Sequence, residues 1–374
     1  MEDRTGMVKL DLSQCQVLSD GYICESCIVL VEGEYLDDIL HVYKIGHPPT
    51  ESRLDTIQSI GYAKLDIFGT MPSESEFAKT RNEELIHGID GMFVILSDVH
   101  LDNPEVMEKL KTLFQGFYDN QILPLFVFIG NFTSKPITSQ EGIRYLTTLM
   151  EDLAHLIYKQ FPRLAKEAKF IFVPGPQDLG STGNILPRGP LPKLACQTIK
   201  SKLSHLTLAS NPCRIRYFTK EFVICRHSFV QALGKHSIVP PRINQVQDEN
   251  MNDSNPNTQE LALTQDAKKS TTNCDTIDHA IKTMLDQAHL TPLPLMSQPI
   301  FWQYDHALRL YPLPDALIVA DNSSVPAYCR TYRDCSVVHP GSFGSAKNPF
   351  GFVVLYPAGR NHEHELAVEL SQIE

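Results

Sequence analysis

Tryptophan is nearly absent: one residue among 374, beside 18 Phe and 13 Tyr. Long apolar runs are missing as well. Met92–Leu96 and Leu123–Ile129 are strand-length, far short of the ~20 residues a membrane helix needs, and Pro124 interrupts the second. Residues 1–20 carry Glu2, Asp3, Arg4, Lys9 and Asp11 but no apolar stretch of the signal-peptide kind, so the expectation is an intracellular chain with no membrane role. Positive charge is in deficit, 33 Lys and Arg against 44 Asp and Glu, for a net −11. A polyanion is held mainly by phosphate neutralisation, so nucleic-acid binding by this chain alone is disfavoured. The densest basic groups, Arg214, Arg216 and Lys220, then Lys193, Lys200 and Lys202, read as solvated faces. A zinc-type set of cysteine pairs is lacking too. The nine cysteines are scattered and odd in number, as in reduced nuclear or cytosolic proteins. Cys24 and Cys27 form a lone C-x-x-C, and on a strand over Tyr22–Val31 they would point to opposite faces, unsuited to a shared metal.

What remains is ample for a globular protein. Hydrophobic residues make up 42% of the chain, enough to bury a core, and at about 150 residues per domain the length suggests two units. Residues 1–70 read as a small all-β domain of short strands without a convincing helix: Val8–Leu12 and His41–Ile45 alternate with period two, and Ile28–Val31 is a compact apolar run. Residues 71–90 are polar and charged, and read as a linker. From 91 to 356 the grammar becomes strand, helix, strand, helix, strand. Met92–Leu96, Leu125–Ile129 and Phe170–Val173 are buried strands, separated by helices with apolar residues at helical spacing, and this predicts a layered α/β domain with a partly parallel sheet. Arg214–Phe218 and Phe222–Cys225 read as paired strands, Ile277–Gln287 as a helix, Ala316–Ala320 as a strand, and Ser336–His339 with Gly351–Tyr356 as a last strand pair. Residues 244–275, crowded with Asn, Asp, Gln, Ser and Thr, read as a disordered insertion. Residues 357–374 form a tail of no evident pattern.

Polar residues gather just after the strands, where α/β sheets carry their functional groups. Asp98 and His100 follow the first strand, Asn131 the second and Asp178 the third; His227 follows Val223–Cys225, and Asp321 with Asn322 follow Ala316–Ala320. Two-metal phosphoesterases need carboxylates and imidazoles converging in this way. The strings LSDVHLD at 96–102, FIGN at 128–131, VPGPQD at 173–178 and HPGSF at 339–343 lie in the order of the calcineurin-like phosphoesterase fold, and in detail the chain resembles the alpha/delta/epsilon B-subunit family of replicative DNA polymerases, the epsilon branch above all. That likeness is carried by FVPGPQDLG, ILPRGPLP, NPCRI, HLTPLPL, YDHALRLYPLPD and PGSF, and by EDRTGMVKLDLS and GHPPTE, which resemble the family's oligonucleotide/oligosaccharide-binding (OB) domain. The resemblance implies a phosphoesterase-like α/β domain behind an OB-like β domain that starts part-way along the family pattern, as in an N-terminally truncated form.

Set against active phosphoesterases, the ligand positions are depleted. Asp98 and His100 keep the first motif. Asn131 stands for the bridging aspartate, Ser134 for a second aspartate, Pro176 for an asparagine ligand and Gln177 for the catalytic histidine. Asp178 and His227 remain, while Asp321 and Asn322 mark a last motif without its histidines. A neutral amide cannot hold two dications together and proline offers no donor, so the expectation is a vestigial site with no metal, no cofactor and no catalysis. The plain structural alternatives are that Asp98 and Asp178 organise their loops, Asn131 bonds loop backbone, and His100 and His227 are satisfied loop or core histidines. The resemblance further implies a nuclear, non-catalytic accessory subunit that grips the zinc-binding C-terminal region of the epsilon catalytic subunit. Contact with other subunits and the helicase assembly is then indirect, and DNA is met through the complex. The rival readings are an active metal-dependent phosphodiesterase or nuclease, and a single-stranded-DNA-binding module.

Overall fold

A computed structural model describes residues 1–60, 74–88, 91–137, 140–180, 184–239, 241, 275–321, 325–344, 350–358 and 366–373. The expected insertion, apart from Asp275, and Asn322 lie outside them. Among the described residues no helix is long and apolar enough to cross a membrane.

The N-terminal unit contains β1 (Lys9–Asp11), β2 (Val17–Leu18), β3 (Ile23–Cys24), β4 (Leu30–Leu36) and β5 (Ile39–Gly46). β5 is its axis, pairing with β1, β2 and β4. A small core of Ile23, Val42 and Ile45 lies beneath, flanked by Leu10, Leu18, Val31 and Leu40. β1 and β5 lie where alternation placed strands, but β5 does not keep period two: its ladder with β4 skips Tyr43, so Val42 and Ile45 both reach the core. Nor is Tyr22–Val31 one strand. A turn after Cys24, with Ser26 at φ 74°, returns the Cys27 N–H to the Cys24 carbonyl at 3.2 Å. The two thiols therefore meet rather than diverge, and the Cys24 hydrogen bond pulls the Cys27 thiol below its ordinary range.

The next two elements are helical, the first within the stretch expected to be all-β and the second within the expected polar linker. α1 (Arg53–Ile60) is capped by Ser52, whose Oγ accepts from Asp55 N at 3.1 Å. α2 (Glu74–His87) occupies most of the expected linker. Its buried Glu84 accepts from Thr219 N and Oγ, so the segment is fastened to the large domain.

The large domain has four layers. β6 (Phe93–Ser97), α3 (Pro104–Asp119), β7 (Leu125–Ile129), α4 (Gln140–Gln160), α5 (Pro162–Glu167), β8 (Lys169–Val173), α6 (Gln197–Lys202) and β9 (His205–Leu208) follow in order. Asn103 caps α3, with Pro104 at its first position. Strands β6 to β9 are parallel. A second sheet and its cover come from β10 (Cys213–Tyr217), β11 (Lys220–Arg226), α7 (Phe229–His236), β12 (Ser237–Val239), α8 (Thr276–Asp286), β13 (Ala316–Ala320), β14 (Tyr328–Tyr332) and β15 (Cys335–His339). Finally, β16 (Gly351–Tyr356) and β17 (Ala367–Gln372) return to the first sheet, in the order β17-β16-β6-β7-β8-β9; the second runs β10-β11-β13-β15-β14. The last two predicted strands are thus not partners: β15 and β16 belong to different sheets. The tail beyond 357 supplies β17, antiparallel to β16.

The central strands are apolar on both faces because each sheet is covered twice. Val94, Leu96, Phe126, Phe128, Phe170 and Phe172 pack under α3 and α4, while Phe93, Ile95, Val127, Ile129 and Val173 meet the other sheet. There Phe222, Ile224, Ile318 and Val338 answer them, and the alternate residues Val223, Cys225, Leu317 and Val319 pack under α7 and α8.

α8 also binds the two units together. Asp275 caps it through a capping box with Asp278. One face, at i, i+4 and i+8 spacing, bonds backbone of the β unit: Gly21 N donates to His279 Nδ1 at 3.0 Å, Tyr22 N to Thr283 Oγ1 at 2.7 Å, and Ile28 N to Gln287 Oε1 at 2.7 Å. Gly21 sits at φ 115°, and a Cβ there would strike the His47 ring at 2.8 Å, so only glycine suits that approach. Thr283→Val keeps the shape but leaves the Tyr22 N–H buried without an acceptor. Denaturant unfolding should show a loss of about 1–3 kcal/mol, with Thr283→Ser near wild type; a Val variant as stable as wild type would contradict this seam.

Candidate functional site

The carboxyl ends of β6, β7 and β8 from one sheet, and of β11 and β13 from the other, open onto a common polar centre. Asp98 follows β6 with a left-handed backbone, φ 51°, which aspartate tolerates better than most residues. Its Oδ1 accepts from Asn131 N at 3.0 Å and Asn131 Nδ2 at 3.1 Å. The Asn131 Oδ1 in turn accepts from Gln177 N at 3.0 Å. Asp178, 2% exposed, takes Phe132 N on Oδ1 and Gly175 N on Oδ2, both at 2.7 Å. A Cβ on Gly130 would collide with the Asp178 carboxylate and with Gly175 N, so the close approach of these loops depends on that glycine.

The centre is filled from the opposite sheet. Arg226, the last residue of β11 and 4% exposed, lays its guanidinium across the gap. Nη2 reaches Asp98 Oδ1 at 2.9 Å and Oδ2 at 3.0 Å, Nε reaches the Gly130 carbonyl at 3.0 Å, and Nη1 reaches the Ala320 carbonyl at 3.1 Å and the Asp321 carbonyl. One cation is therefore held by five oxygens drawn from both sheets, the kind of donor set a hard metal ion would take. Its own backbone is fixed by Asn211, whose amide pairs with Arg226 N at 3.0 Å and Arg226 O at 2.9 Å.

The remaining predicted positions fall around this centre in unequal roles. Asp321 turns its carboxylate away to accept from Val230 N at 3.0 Å. His227 is buried, packs edge-on to Phe229 at 5.1 Å, and leaves Nε2 without a hydrogen-bond partner among the described residues. Burial, reinforced by the Arg188 and Arg226 charges, drives its pKa down to about 3, so it is neutral. Burial raises Asp178 to about 6, against the two backbone donors that favour its charge. His100 is half-buried and makes no side-chain hydrogen bond among the described residues. Ser134 is bound to Asp102 rather than to the centre, and the Pro176 side chain carries no polar atom. The loop-organising role thus describes Asp98, Asn131 and Asp178. Arg226 is not among the expected site residues, although a charged residue closing the apolar run Phe222–Cys225 is a usable signal.

A paired-cation centre does not fit these residues. Both Asp98 oxygens are engaged, Asn131 is neutral and bonded through both ends of its amide, and a guanidinium already stands in the middle. Each unit of positive charge added about 4 Å from it would be opposed by about 4 kcal/mol at an effective dielectric of 20. Among the described residues no group of three or more His, Cys, Asp and Glu is disposed to hold a metal.

Comparison with known proteins adds an independent line. A family model that describes the B subunit of DNA polymerase alpha/epsilon matches residues 93–329, and one described as the OB-fold domain of DNA polymerase epsilon subunit 2-like proteins matches residues 1–49. DNA polymerase epsilon subunit 2 of Homo sapiens is 35% identical over 97% of this chain and 62% of its own length. The DNA polymerase epsilon B subunit of Arabidopsis thaliana is 34% identical over 92% and 60%, and that of Saccharomyces cerevisiae 30% over 92% and 53%. The chain therefore spans somewhat over half the length of these curated relatives.

Two outcomes follow from the centre. Arg226→Ala strands the Asp98 carboxylate and should cost about 3–5 kcal/mol in denaturant unfolding, whereas Arg226→Met with Asp98→Leu should cost clearly less. Equal losses would show that the pair is not the reason. His227, neutral when folded and protonated below about 6.5 when unfolded, contributes stability that is present above pH 6.5 and is lost as pH falls towards 3. His227→Gln should flatten the acid limb of the stability curve by about 1.4 kcal/mol per pH unit near pH 5; an unchanged slope would refute the neutral buried imidazole.

Proposed function

Because the chain belongs to the B-subunit family of DNA polymerases alpha and epsilon, we propose that it is a non-catalytic accessory subunit of DNA polymerase epsilon, scaffolding the catalytic subunit during nuclear DNA replication. The observation that carries the non-catalytic part is the Arg226 guanidinium, seated among Asp98, Gly130, Ala320 and Asp321 where hydrolytic cations would have to lie. In this reading the large domain is a phosphoesterase-like sandwich whose cation site is vestigial. Asp98, Asn131, Gln177 and Asp178 now brace loops, and His100, Pro176, His227, Asp321 and Asn322 mark lost or silent ligand positions. The β-rich unit, whose OB-fold family match covers residues 1–49, is the OB-like domain, joined to the sandwich by α8.

The partner proposed is the zinc-binding C-terminal region of the epsilon catalytic subunit, with the remaining subunits and the helicase assembly reached through it. Zinc belongs to that partner, and this chain requires no cofactor. Co-expression with the C-terminal region of an epsilon-type catalytic subunit should yield a complex that survives affinity purification and gel filtration; separate elution would remove the accessory-subunit reading. Titrating the purified chain with Mn²⁺ should leave a generic phosphodiester hydrolysing at the buffer rate. Metal-dependent turnover lost in Asp98→Ala would establish the hydrolase alternative instead.

A further inference from the structure

The net charge of −11 hides a segregated distribution. Residues 158–205 carry eight Lys and Arg against two acids, Glu167 and Asp178, and Asp178 is buried in the centre described above. The topology then gathers five of these cations at one edge, whereas Arg188 is buried near the Arg226 centre and Arg163 is paired with Glu167. α4, α5 and α6 each bring a basic last turn, with Lys159, Lys166, and Lys200 with Lys202, respectively. These turns adjoin the amino-terminal edge of the parallel sheet, because α5 leads directly into β8 and α6 into β9. Ser204 N donates to the Ala165 carbonyl at 3.0 Å, tying the end of α6 to α5, and Lys169 and His205 are register partners at the start of β8 and β9. Lys202 lies over the half-exposed Tyr158 ring at 4.7 Å. The five lysines make no ion pair among the described residues. The acids at the adjoining helix ends are already engaged, Glu167 by Arg163 at 3.3 Å and Asp119 by Gln115 at 2.6 Å.

Helix dipoles explain part of this pattern, since each carboxyl terminus carries about half a negative charge that a lysine offsets. Three such termini and Asp119 leave an excess of about two to three positive charges, and Lys169, on a strand, answers no helix end. The chemistry of the excess is specific enough to choose a partner class. The charges are ammonium groups rather than arginine forks, which suits diffuse neutralisation of phosphates more than bidentate capture of carboxylates. Among the described residues, the exposed large apolar side chains at this edge are Tyr158 and, just before β7, the marginally exposed Ile122 and Leu123, a thin set of anchors for a peptide.

We propose that this edge, on the far side of the sheet from the Arg226 centre, is a sequence-independent contact for the phosphate backbone of duplex DNA. The inference rests on the accessory-subunit reading for its setting, since that places the chain beside a polymerase's duplex. Contact through about four lysines gives weak affinity for the isolated chain and a logarithmic salt dependence of about −3 to −4.

The test is fluorescence anisotropy of the full chain with a labelled 30-base-pair duplex between 50 and 200 mM KCl. Saturable binding at 50 mM with that slope is expected, reduced at least tenfold by Lys166→Glu, Lys169→Glu and Lys200→Glu together. Reversal of Lys9, Lys79 and Lys111, which lie elsewhere, should leave it within about twofold. Matching circular dichroism melts guard against unfolding of the variants. No binding at 50 mM, or binding indifferent to the first triple variant, overturns the proposal. So does capture of a polyglutamate peptide by this edge without capture of duplex, which would assign it to an acidic protein instead. Co-purification with the catalytic-subunit region, assayed on the same triple variant, should be unaffected. Its failure already in the wild type, with duplex binding intact, would remove the accessory reading alone.

Discussion

The two sheets of the large domain are held in register at their functional end by one buried charge pair. Between their faces the contact is apolar and non-directional: Phe93, Ile95 and Val127 against Phe222, Ile224 and Ile318 could slide with little penalty. Arg226 and Asp98 cannot. The guanidinium is planar, every donor position has a directional demand, and both partners are almost wholly removed from water. Taking such a pair out of water is expensive and contributes little net stability. Its value lies in geometry, because only one alignment of the sheets satisfies the carboxylate of one and the carbonyls of both together.

From that pair the surrounding order follows. Asp98 fixes the Asn131 amide, Asn131 holds the loop at Gln177, and Asp178 gathers the Phe132 and Gly175 N–H groups, so three loops that would ordinarily enclose a substrate bond one another instead. With both Asp98 oxygens, the Asn131 amide and the Asp178 carboxylate so engaged, these side chains offer a cation no free acceptor. A rigid, self-satisfied loop cluster suits a platform on which another protein rests, since little conformational freedom remains to be lost on association.

Much of this was legible in the sequence, for identifiable reasons. Buried parallel strands announce themselves as unbroken apolar runs, and Met92–Leu96, Leu125–Ile129 and Phe170–Val173 lie where expected because each is covered on both faces. The polar residues after them were legible as a group, since strand ends are where such residues have a use. Illegible were the features that depend on a partner distant in sequence. Arg226 meets Asp98 across 128 positions; locally it reads as the end of a strand. β15 and β16 are neighbours in sequence with similar composition, and only the fold sends them to different sheets. The charged helix α2 was hidden for a related reason: its buried Glu84 takes its partner, Thr219, from a turn 135 residues away.

The seam with the β-rich unit shows how such long-range constraints leave an indirect trace. Gln287 bonds the Ile28 backbone at both ends, Oε1 accepting from N and Nε2 donating to O. This fixes the amide's orientation without ambiguity, so the 2.8 Å contact from Nε2 to His47 Nδ1 makes that nitrogen an acceptor and leaves His47 neutral, in keeping with the lowering of its pKa by burial. His279 is constrained the same way by the Gly21 N–H, which can only donate. Two imidazoles that accept through Nδ1, an amide of fixed orientation and a glycine that admits no side chain thus define one docking pose between the units. The residues carrying it are small or polar and scattered, and none belongs to a motif of known chemistry. The strings by which the chain resembles its family behave similarly. His289 of HLTPLPL pairs with Asp305 of YDHALRLYPLPD, and Asp315 of the latter receives Arg53 from the helix after GHPPTE. Such strings are idiosyncratic because they encode long-range structural contacts rather than chemistry, which is why they can identify a family.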